Sequence, residues 1–137
     1  MKKKNTVLLI EDERDIADIM KEYFERHNIN LLVSHTRTDA FFKINNQKFD
    51  CIVSDIKLDQ NDVIPVFNEL RTNQKGLNYN VPVIVHSGNV TGEILKDNKS
   101  IIKAVFVKPN GAEEIIESVK NLIRKPKKTP MKEAEFK

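Results

Sequence analysis

The sequence predicts an α/β fold, a doubly wound parallel sheet of five strands with helices on both faces. Five short apolar runs recur along the chain, at residues 7–10, 31–33, 51–53, 81–85 and 104–107. Most of them lack the polar alternation that is typical of a half-exposed strand. Segments with helical spacing lie between the runs, and the resulting βαβαβαβαβα order favours parallel strands joined by crossover helices.

The five intervening helices are specified to different degrees. The first and last have full apolar stripes, and the last also has acidic residues at its start and basic residues at its end. We expect Thr38 or Asp39 to cap the second helix, Asp62 the third and Asn110 the fifth, while the fourth, after Thr91, is weak. The residues predicted to face inward are Ile16, Ile19, Met20, Tyr23 and Phe24; Ala40, Phe41 and Ile44; Val66, Phe67 and Leu70; Ile94 and Leu95; and Ile115, Ile116, Val119, Leu122 and Ile123.

Length and composition favour one folded domain. The 137 residues are 39% hydrophobic and 31% charged, and no apolar stretch approaches the length of a membrane span. We expect the domain to cover residues 1–124 and residues 125–137, which contain Pro126 and Pro130, to form a basic, disordered tail. We expect this tail to be too short to act as an output domain.

The distribution of charge and the single cysteine restrict the expected partners and cellular location. The chain has a net charge of +3, but residues 5–124 contain 15 basic and 18 acidic side chains, so the positive charge lies at the two ends. We therefore expect neither a nucleic-acid partner nor a membrane partner. The only cysteine, Cys51, is expected to be buried and inert, and with no export signal the predicted location is cytoplasmic.

Polar residues directly follow four of the predicted strands. They are Glu11-Asp12-Glu13, Ser54-Asp55, His86-Ser87-Gly88 and Lys108-Pro109. In an open α/β sheet the carboxyl ends of the strands form the ligand-binding edge. Carboxylates gathered there would repel each other unless a cation neutralised them, and an oxygen donor set without His or Cys favours Mg²⁺. With Lys108 and Ser87 opposite the metal, the edge has the groups needed to hold a phosphoryl group.

Over residues 5–124 these features resemble the receiver domain of bacterial two-component response regulators. The matching motifs are residues 8–13 (LLIEDE), 52–55 (IVSD), 83–88 (VIVHSG) and 106–109 (FVKP). Each motif is weak alone, but four in order with compatible spacing are specific. The resemblance implies a flavodoxin-like (βα)5 fold with strand order 2-1-3-4-5.

The resemblance also implies roles for individual residues. Asp55 would accept a phosphoryl group from a phosphohistidine on a sensor histidine kinase or phosphotransfer protein. Mg²⁺ would be bound directly by Asp12, by Asp55 and by the main-chain carbonyl of Lys57, with Glu11 acting mainly through water. Lys108 and Ser87 would contact the phosphoryl group, Ser87 and Phe106 would form the switch, and the Lys108–Pro109 bond would be cis.

The implied protein is a single-domain, chemotaxis-regulator-like response regulator and not a conventional enzyme. It would promote its own phosphorylation and dephosphorylation, then bind a downstream protein through the face of helix four, strand five and helix five, or relay the phosphoryl group. It would be a monomer or a phosphorylation-dependent dimer.

The loop after Asp55 departs from the family's usual Met-Pro and Asp-Gly, since it has Leu58-Asp59 and Asp62-Val63. Ser87 and Phe106 replace a more frequent Thr and Tyr.

Two alternatives remain open. A degenerate receiver would bind partners without being phosphorylated, although every expected site position holds a competent residue. A phosphatase of the haloacid dehalogenase type would need Asp-x-Asp, but position 57 is Lys. We interpret His86 as a packing residue by strand alternation, and His27 and His35 have no partner spacing.

Overall fold

A computed structural model of the chain describes residues 4–88, 90–108 and 111–124. Strands and helices alternate strictly within these ranges. In chain order they are β1 (Thr6–Ile10), α1 (Arg14–Arg26), β2 (Asn30–Ser34), α2 (Arg37–Asn46), β3 (Cys51–Ser54), α3 (Ile64–Thr72), β4 (Val83–Ser87), α4 (Gly92–Asp97), β5 (Ile102–Val107) and α5 (Ala112–Arg124).

The five described strands form one parallel sheet in the order β2-β1-β3-β4-β5. This order confirms the predicted doubly wound architecture. Strands β1, β3 and β4 lie inside the sheet, and β3 and β4 are buried along their whole length. Burial on both faces explains why these runs are apolar without alternation.

The two faces of the sheet are covered by different helices. One face packs against α2, α3 and α4 through a cluster that includes Leu8, Ile52, Val85 and Phe67. The other packs against α1 and α5 through a cluster that includes Leu9, Val53, Ile84 and Phe24. Among the helices, α4 alone has no buried residue in the described part of the chain, which matches its weak apolar pattern.

The structure corrects one predicted core residue. Ile19 is 54% exposed, whereas Ala17, Met20 and Phe24 form the buried line of α1. Ile19 lies about 100° around the helix from Met20, because consecutive helical residues are separated by that angle. The inward face of α1 is therefore centred on the small Ala17, which lets the helix approach the sheet.

Several predicted boundaries are also shifted. Helix α2 begins at Arg37, and Thr36 is its N-cap, accepting a hydrogen bond from the Asp39 amide, so neither Thr38 nor Asp39 is the cap. Helix α3 begins one residue later than predicted. Asp62 nevertheless accepts a 3.0 Å hydrogen bond from the Ile64 amide. Strand β4 starts at Val83 rather than at residue 81.

Several predictions fall on residues outside the described ranges. They are the Asn110 cap, the cis Lys108–Pro109 bond and the tail at 125–137. Within the ranges that are described, none of the helices combines the length and hydrophobicity needed to cross a membrane.

Candidate functional site

The register of β1 against β3 brings the acidic residues together. Ile10 pairs with Ser54, so Glu11 and Asp55 are the next residues on adjacent strands. The Asp55 amide donates a 3.0 Å hydrogen bond to the Ile10 carbonyl, which extends the pairing past the ends of the strands. The two carboxylates therefore leave the sheet side by side.

The register of β4 against β5 places the other polar groups at the same edge. Ser87 pairs with Val107, and the Lys108 amide donates a 3.2 Å hydrogen bond to the Ser87 carbonyl. Because β4 lies next to β3 in the sheet, Ser87 and Lys108 follow Asp55 along this edge. The predicted convergence of polar groups at the carboxyl edge is confirmed.

Three carboxylates meet at this edge. One oxygen from each of Glu11, Asp12 and Asp55 lies within 4.8 Å of the others. Glu11 and Asp55 are 1% and 7% exposed, while Asp12 is partly exposed. The cluster therefore lies mostly beneath the surface, with Asp12 on its solvent side.

Lys108 supplies positive charge to this cluster. Its ammonium group donates to Asp55 Oδ2 at 2.7 Å and lies 2.9 Å from Glu11 Oε1. Burial alone would lower the pKa of Lys108, but the hydrogen bonds to Asp55 and Glu11 outweigh it and raise the pKa. Lys108 is therefore protonated throughout the physiological pH range, and its single charge faces three carboxylates.

The side chain of Glu11 is fixed by two groups. Oε1 faces Lys108, and Oε2 accepts a 3.2 Å hydrogen bond from the Glu13 amide. Burial raises the pKa of the Glu11 carboxyl, and the contact with Lys108 offsets only part of that effect. A buried carboxylate whose charge is incompletely balanced favours binding of a further cation.

Asp55 is held by its chain neighbour Ile56 and by Lys108 from the end of β5. Oδ1 accepts a 2.7 Å hydrogen bond from the Ile56 amide, and Oδ2 accepts from Lys108. The Ser54 hydroxyl donates to the Asp55 carbonyl oxygen at 2.6 Å. Both carboxylate oxygens are thus oriented by a hydrogen bond that each accepts.

The loop that follows Asp55 is held by hydrogen bonds between its own residues. The Leu58 amide donates to the Asn61 carbonyl at 2.8 Å, and the Val63 amide donates to the Ile56 carbonyl at 2.9 Å. Lys57 pairs with Asp62 in an isolated antiparallel bridge, its side chain exposed to solvent. The unusual sequence of this loop therefore gives an ordered turn, with Leu58 and Val63 buried at its base.

The two predicted switch residues lie on neighbouring strands. Phe106 pairs with His86, one position before the pairing of Ser87 with Val107. Phe106 is partly buried against the α1 and α5 side, whereas Val85 and Val105 belong to the opposite side. By strand alternation Ser87 and Phe106 therefore point to different faces of the sheet. His86 is buried, as a packing residue should be.

One contact of the site was missed from sequence. His35, for which we predicted no partner, has Nδ1 2.9 Å from the Glu11 carbonyl oxygen. The only signal was its position directly after β2, the strand that pairs with β1. His27 also has a contact, with Lys120 Nζ at 2.7 Å, but on the exposed surface formed by α1 and α5.

The donor set suits a hard divalent cation. Three carboxylate groups close enough to share one ion offer oxygen ligands only, which favour Mg²⁺ over softer metals. The partial exposure of Asp12 leaves room for water, and Mg²⁺ usually retains several waters in proteins. The residues present therefore fit a Mg²⁺ ion.

Comparison with known proteins is consistent with this geometry. A family model described as the response regulator receiver domain matches residues 7–120. The transcriptional regulatory protein SrrA of Staphylococcus aureus is 26% identical over 133 residues, which are 96% of this chain and 53% of SrrA. The chain thus spans about half the length of the curated relatives it matches.

Solved structures show the same fold. The receiver domain of the Francisella response regulator 1452 is 30% identical, with a TM-score of 0.77 over 88% of this chain and 98% of that one. The response regulator protein TrrA of Thermotoga maritima, solved in complex with Mg²⁺ and BeF, is 20% identical, with a TM-score of 0.69 over 86% of this chain and 98% of that one. At that identity the second likeness concerns the fold alone.

Proposed function

The chain belongs to the response regulator receiver domain family, and from that premise we propose that Asp55 accepts a phosphoryl group from a phosphohistidine in a Mg²⁺-dependent reaction. The donor would be a sensor histidine kinase or a phosphotransfer protein. The observation that supports this most directly is the meeting of Glu11, Asp12, Asp55 and Lys108 at one edge of the sheet. These four side chains are the ones that the proposed reaction would use to hold Mg²⁺ and the phosphoryl group.

The proposed step is a transfer between two nucleophiles. A carboxylate oxygen of Asp55 forms a bond to phosphorus, and the bond from phosphorus to one imidazole nitrogen breaks with its electron pair kept by that nitrogen. The imidazole leaves in neutral form because its other ring nitrogen carries a proton. Asp55 is suited to this attack because both of its oxygens are oriented by hydrogen bonds. No proton has to be removed from an ionised carboxylate before it reacts.

The phosphoryl oxygens would be received by groups already at the edge. Lys108 can keep its position and pair with a phosphoryl oxygen in place of the Asp55 oxygen, and the Ser87 hydroxyl can donate to another. Glu11, Asp12, Asp55 and the Lys57 carbonyl would hold Mg²⁺, which when bound neutralises charge on the phosphoryl group. The same groups would assist hydrolysis of the acyl phosphate, so the domain promotes its own dephosphorylation.

Phosphorylation would act as a switch of protein contacts. We propose that it shifts an existing equilibrium on the face of α4, β5 and α5, and that the altered face binds a downstream protein, unless the phosphoryl group is relayed onward. Helix α4 is suited to move because it buries none of its residues.

The buried Cys51 thiol fits a reducing compartment, and we propose a cytoplasmic location.

Labelling with a small phosphodonor tests the proposal. Incubation with acetyl phosphate and Mg²⁺ should add one phosphate to the protein, measured by intact mass, and Asp55→Asn should abolish it. Asp59→Asn, which removes an exposed carboxylate from the same loop, is the matched control and should be labelled normally. Labelling that persists in Asp55→Asn would refute the assignment, and no labelling of the parent would favour a phosphorylation-independent binding module.

A further inference from the structure

His35 contacts the backbone of the acidic loop. It is the first residue after β2, and its Nδ1 lies 2.9 Å from the Glu11 carbonyl oxygen. A carbonyl oxygen can only accept a hydrogen bond, so Nδ1 must carry the proton and donate it. The ring is thus fixed in one orientation with respect to β1.

Two hydrogen bonds with residues at the end of β2 fix the backbone of Glu11, one at its amide and one at its carbonyl. The Glu11 amide donates a 3.0 Å hydrogen bond to the Ser34 carbonyl, and the Glu11 carbonyl accepts from His35. The carbonyl of Glu11 belongs to the peptide group that joins it to Asp12. Fixing the plane of that peptide restricts ψ of Glu11 and φ of Asp12, and so the directions in which both carboxylates leave the backbone.

The turn that carries His35 is itself anchored. The Ser34 hydroxyl donates to Asp39 Oδ2 at 2.7 Å, the Thr36 hydroxyl accepts from the Asp39 amide at 3.0 Å, and Lys43 pairs with the Asp39 carboxylate. These contacts tie residues 34–36 to the first turns of α2. His35 therefore contacts Glu11 from a fixed support.

We infer that His35 is a positioning residue of the metal site, which orients Glu11 and Asp12 for Mg²⁺ through their shared peptide group. This inference rests on the proposed function, since it assumes that the carboxylates bind Mg²⁺. In this inference His35 is not a ligand of the metal or of the phosphoryl group and acts only through Glu11. Contacts of this kind around a metal site change its affinity without supplying a ligand.

A role in stability alone makes a different prediction. If His35 merely joined β2 to β1, its loss would lower the melting temperature but leave the Mg²⁺ affinity of the folded protein unchanged. If it positions the carboxylates, the affinity itself must fall. The affinity of folded protein, and not its stability, is thus the measurement that separates the two roles.

The experiment compares two substitutions of similar size. His35→Leu removes the donor, while His35→Asn retains one near the position of Nδ1. Mg²⁺ titrations by calorimetry, at a temperature where circular dichroism shows each variant folded, should give a Kd about tenfold higher for His35→Leu and close to the parent value for His35→Asn. The rate of labelling by acetyl phosphate at subsaturating Mg²⁺ should fall in parallel.

The outcomes distinguish this inference from the proposed function. A parent that binds no Mg²⁺ would refute both, whereas a parent that binds Mg²⁺ and is labelled, with His35→Leu equal to it, would refute only the role of His35. Equal loss in His35→Leu and His35→Asn would also refute it. If His35→Leu does not fold, ¹⁵N NMR of the parent ring decides: a neutral ring with the proton on Nε2 excludes the donation to Glu11.

Discussion

The ammonium group of Lys108 donates a 2.7 Å hydrogen bond to the carboxylate of Asp55, across 53 residues of chain. The same nitrogen lies 2.9 Å from Glu11, so one cation joins the ends of β1, β3 and β5. Without metal, Lys108 is the cation that pairs with the acidic cluster in the described part of the chain. Lys108 should therefore stabilise the metal-free fold by pairing with these carboxylates.

Replacing Lys108 should destabilise the metal-free protein. Lys108→Met leaves two buried carboxylates without their counterion, so the free energy of unfolding should fall by about 1–3 kcal/mol. Urea unfolding at neutral pH measures this, and added Mg²⁺ should narrow the gap to the parent. Lys103→Met, which changes an exposed lysine of β5, should stay within about 0.5 kcal/mol of the parent. Equal effects of the two substitutions would contradict the assigned role of Lys108.

Removing the charge of Asp12 should have the opposite effect in metal-free buffer. None of the ion pairs between described residues includes Asp12, yet it lies beside Glu11 and Asp55. Relief of repulsion in Asp12→Asn should raise the free energy of unfolding by about 1 kcal/mol, the scale of two charges 4 Å apart in water.

Mg²⁺ completes this test of Asp12. Binding to the folded state stabilises the parent by RT ln(1 + [L]/Kd), and Asp12→Asn should lose most of that gain because a ligand is gone. Thermal melts with and without Mg²⁺ measure both effects, with Asp18→Asn on the exposed side of α1 as control. A variant that melts below the parent without metal, and gains as much from Mg²⁺, would show that the carboxylates do not share an ion.

The Cys51 thiol should be unreactive in the folded protein. Burial raises its pKa from 9.0 to about 12. At pH 8 the thiolate fraction then falls from about 10% to about 0.01%, and the side chain is fully buried as well. Alkylation by iodoacetamide at pH 8 should therefore be at least about 100-fold slower in buffer than in urea. Comparable rates would mean that the sheet opens readily around β3.

The raised pKa of Cys51 also predicts how the free energy of unfolding changes with pH. A thiol whose pKa is raised on folding stabilises the protein fully below pH 9.0, and this contribution is lost as the pH rises towards about 12. Cys51→Ala should therefore lose less stability than the parent over that interval. Denaturant unfolding at pH 8 and pH 10 compares them, and identical slopes would contradict a raised pKa.

Phosphorylation should alter β4, α4 and β5 more than α2. Asp55, Ser87 and Lys108 lie at one edge, and α4 is anchored by no buried residue, whereas α2 buries Ala40 and Ile44. Since Ser87 and Phe106 point to different faces, we expect the signal to pass through the paired backbones of β4 and β5. NMR shifts induced by beryllofluoride should be largest in those elements. Largest shifts around Ala40 and Ile44 would place the signalling face elsewhere.

The sequence by itself determined the fold and which polar residues lie at the carboxyl edge of the sheet. Runs such as Val7–Ile10 and the buried β3 had no polar alternation because both faces of the sheet are covered, so a parallel α/β sheet was the one consistent architecture. Asp55 and Lys108 could be found because residues that follow parallel strands must meet at one edge. The parallel sheet and its polar edge follow from local periodicity and chain order, whereas the strand order came from the family resemblance.

Only the tertiary structure decided which of several chemically competent groups touch. The burial of Ala17 instead of Ile19 depends on how close α1 approaches the sheet. Thr36 is the cap of α2 because the Asp39 carboxylate is bound by Ser34 and Lys43. The contact of His35 with Glu11 joins residues 24 positions apart on paired strands. Periodicity fixes which face a residue occupies, but hydrogen-bond partners depend on register and distances of a few ångströms, which arise only when the helices pack.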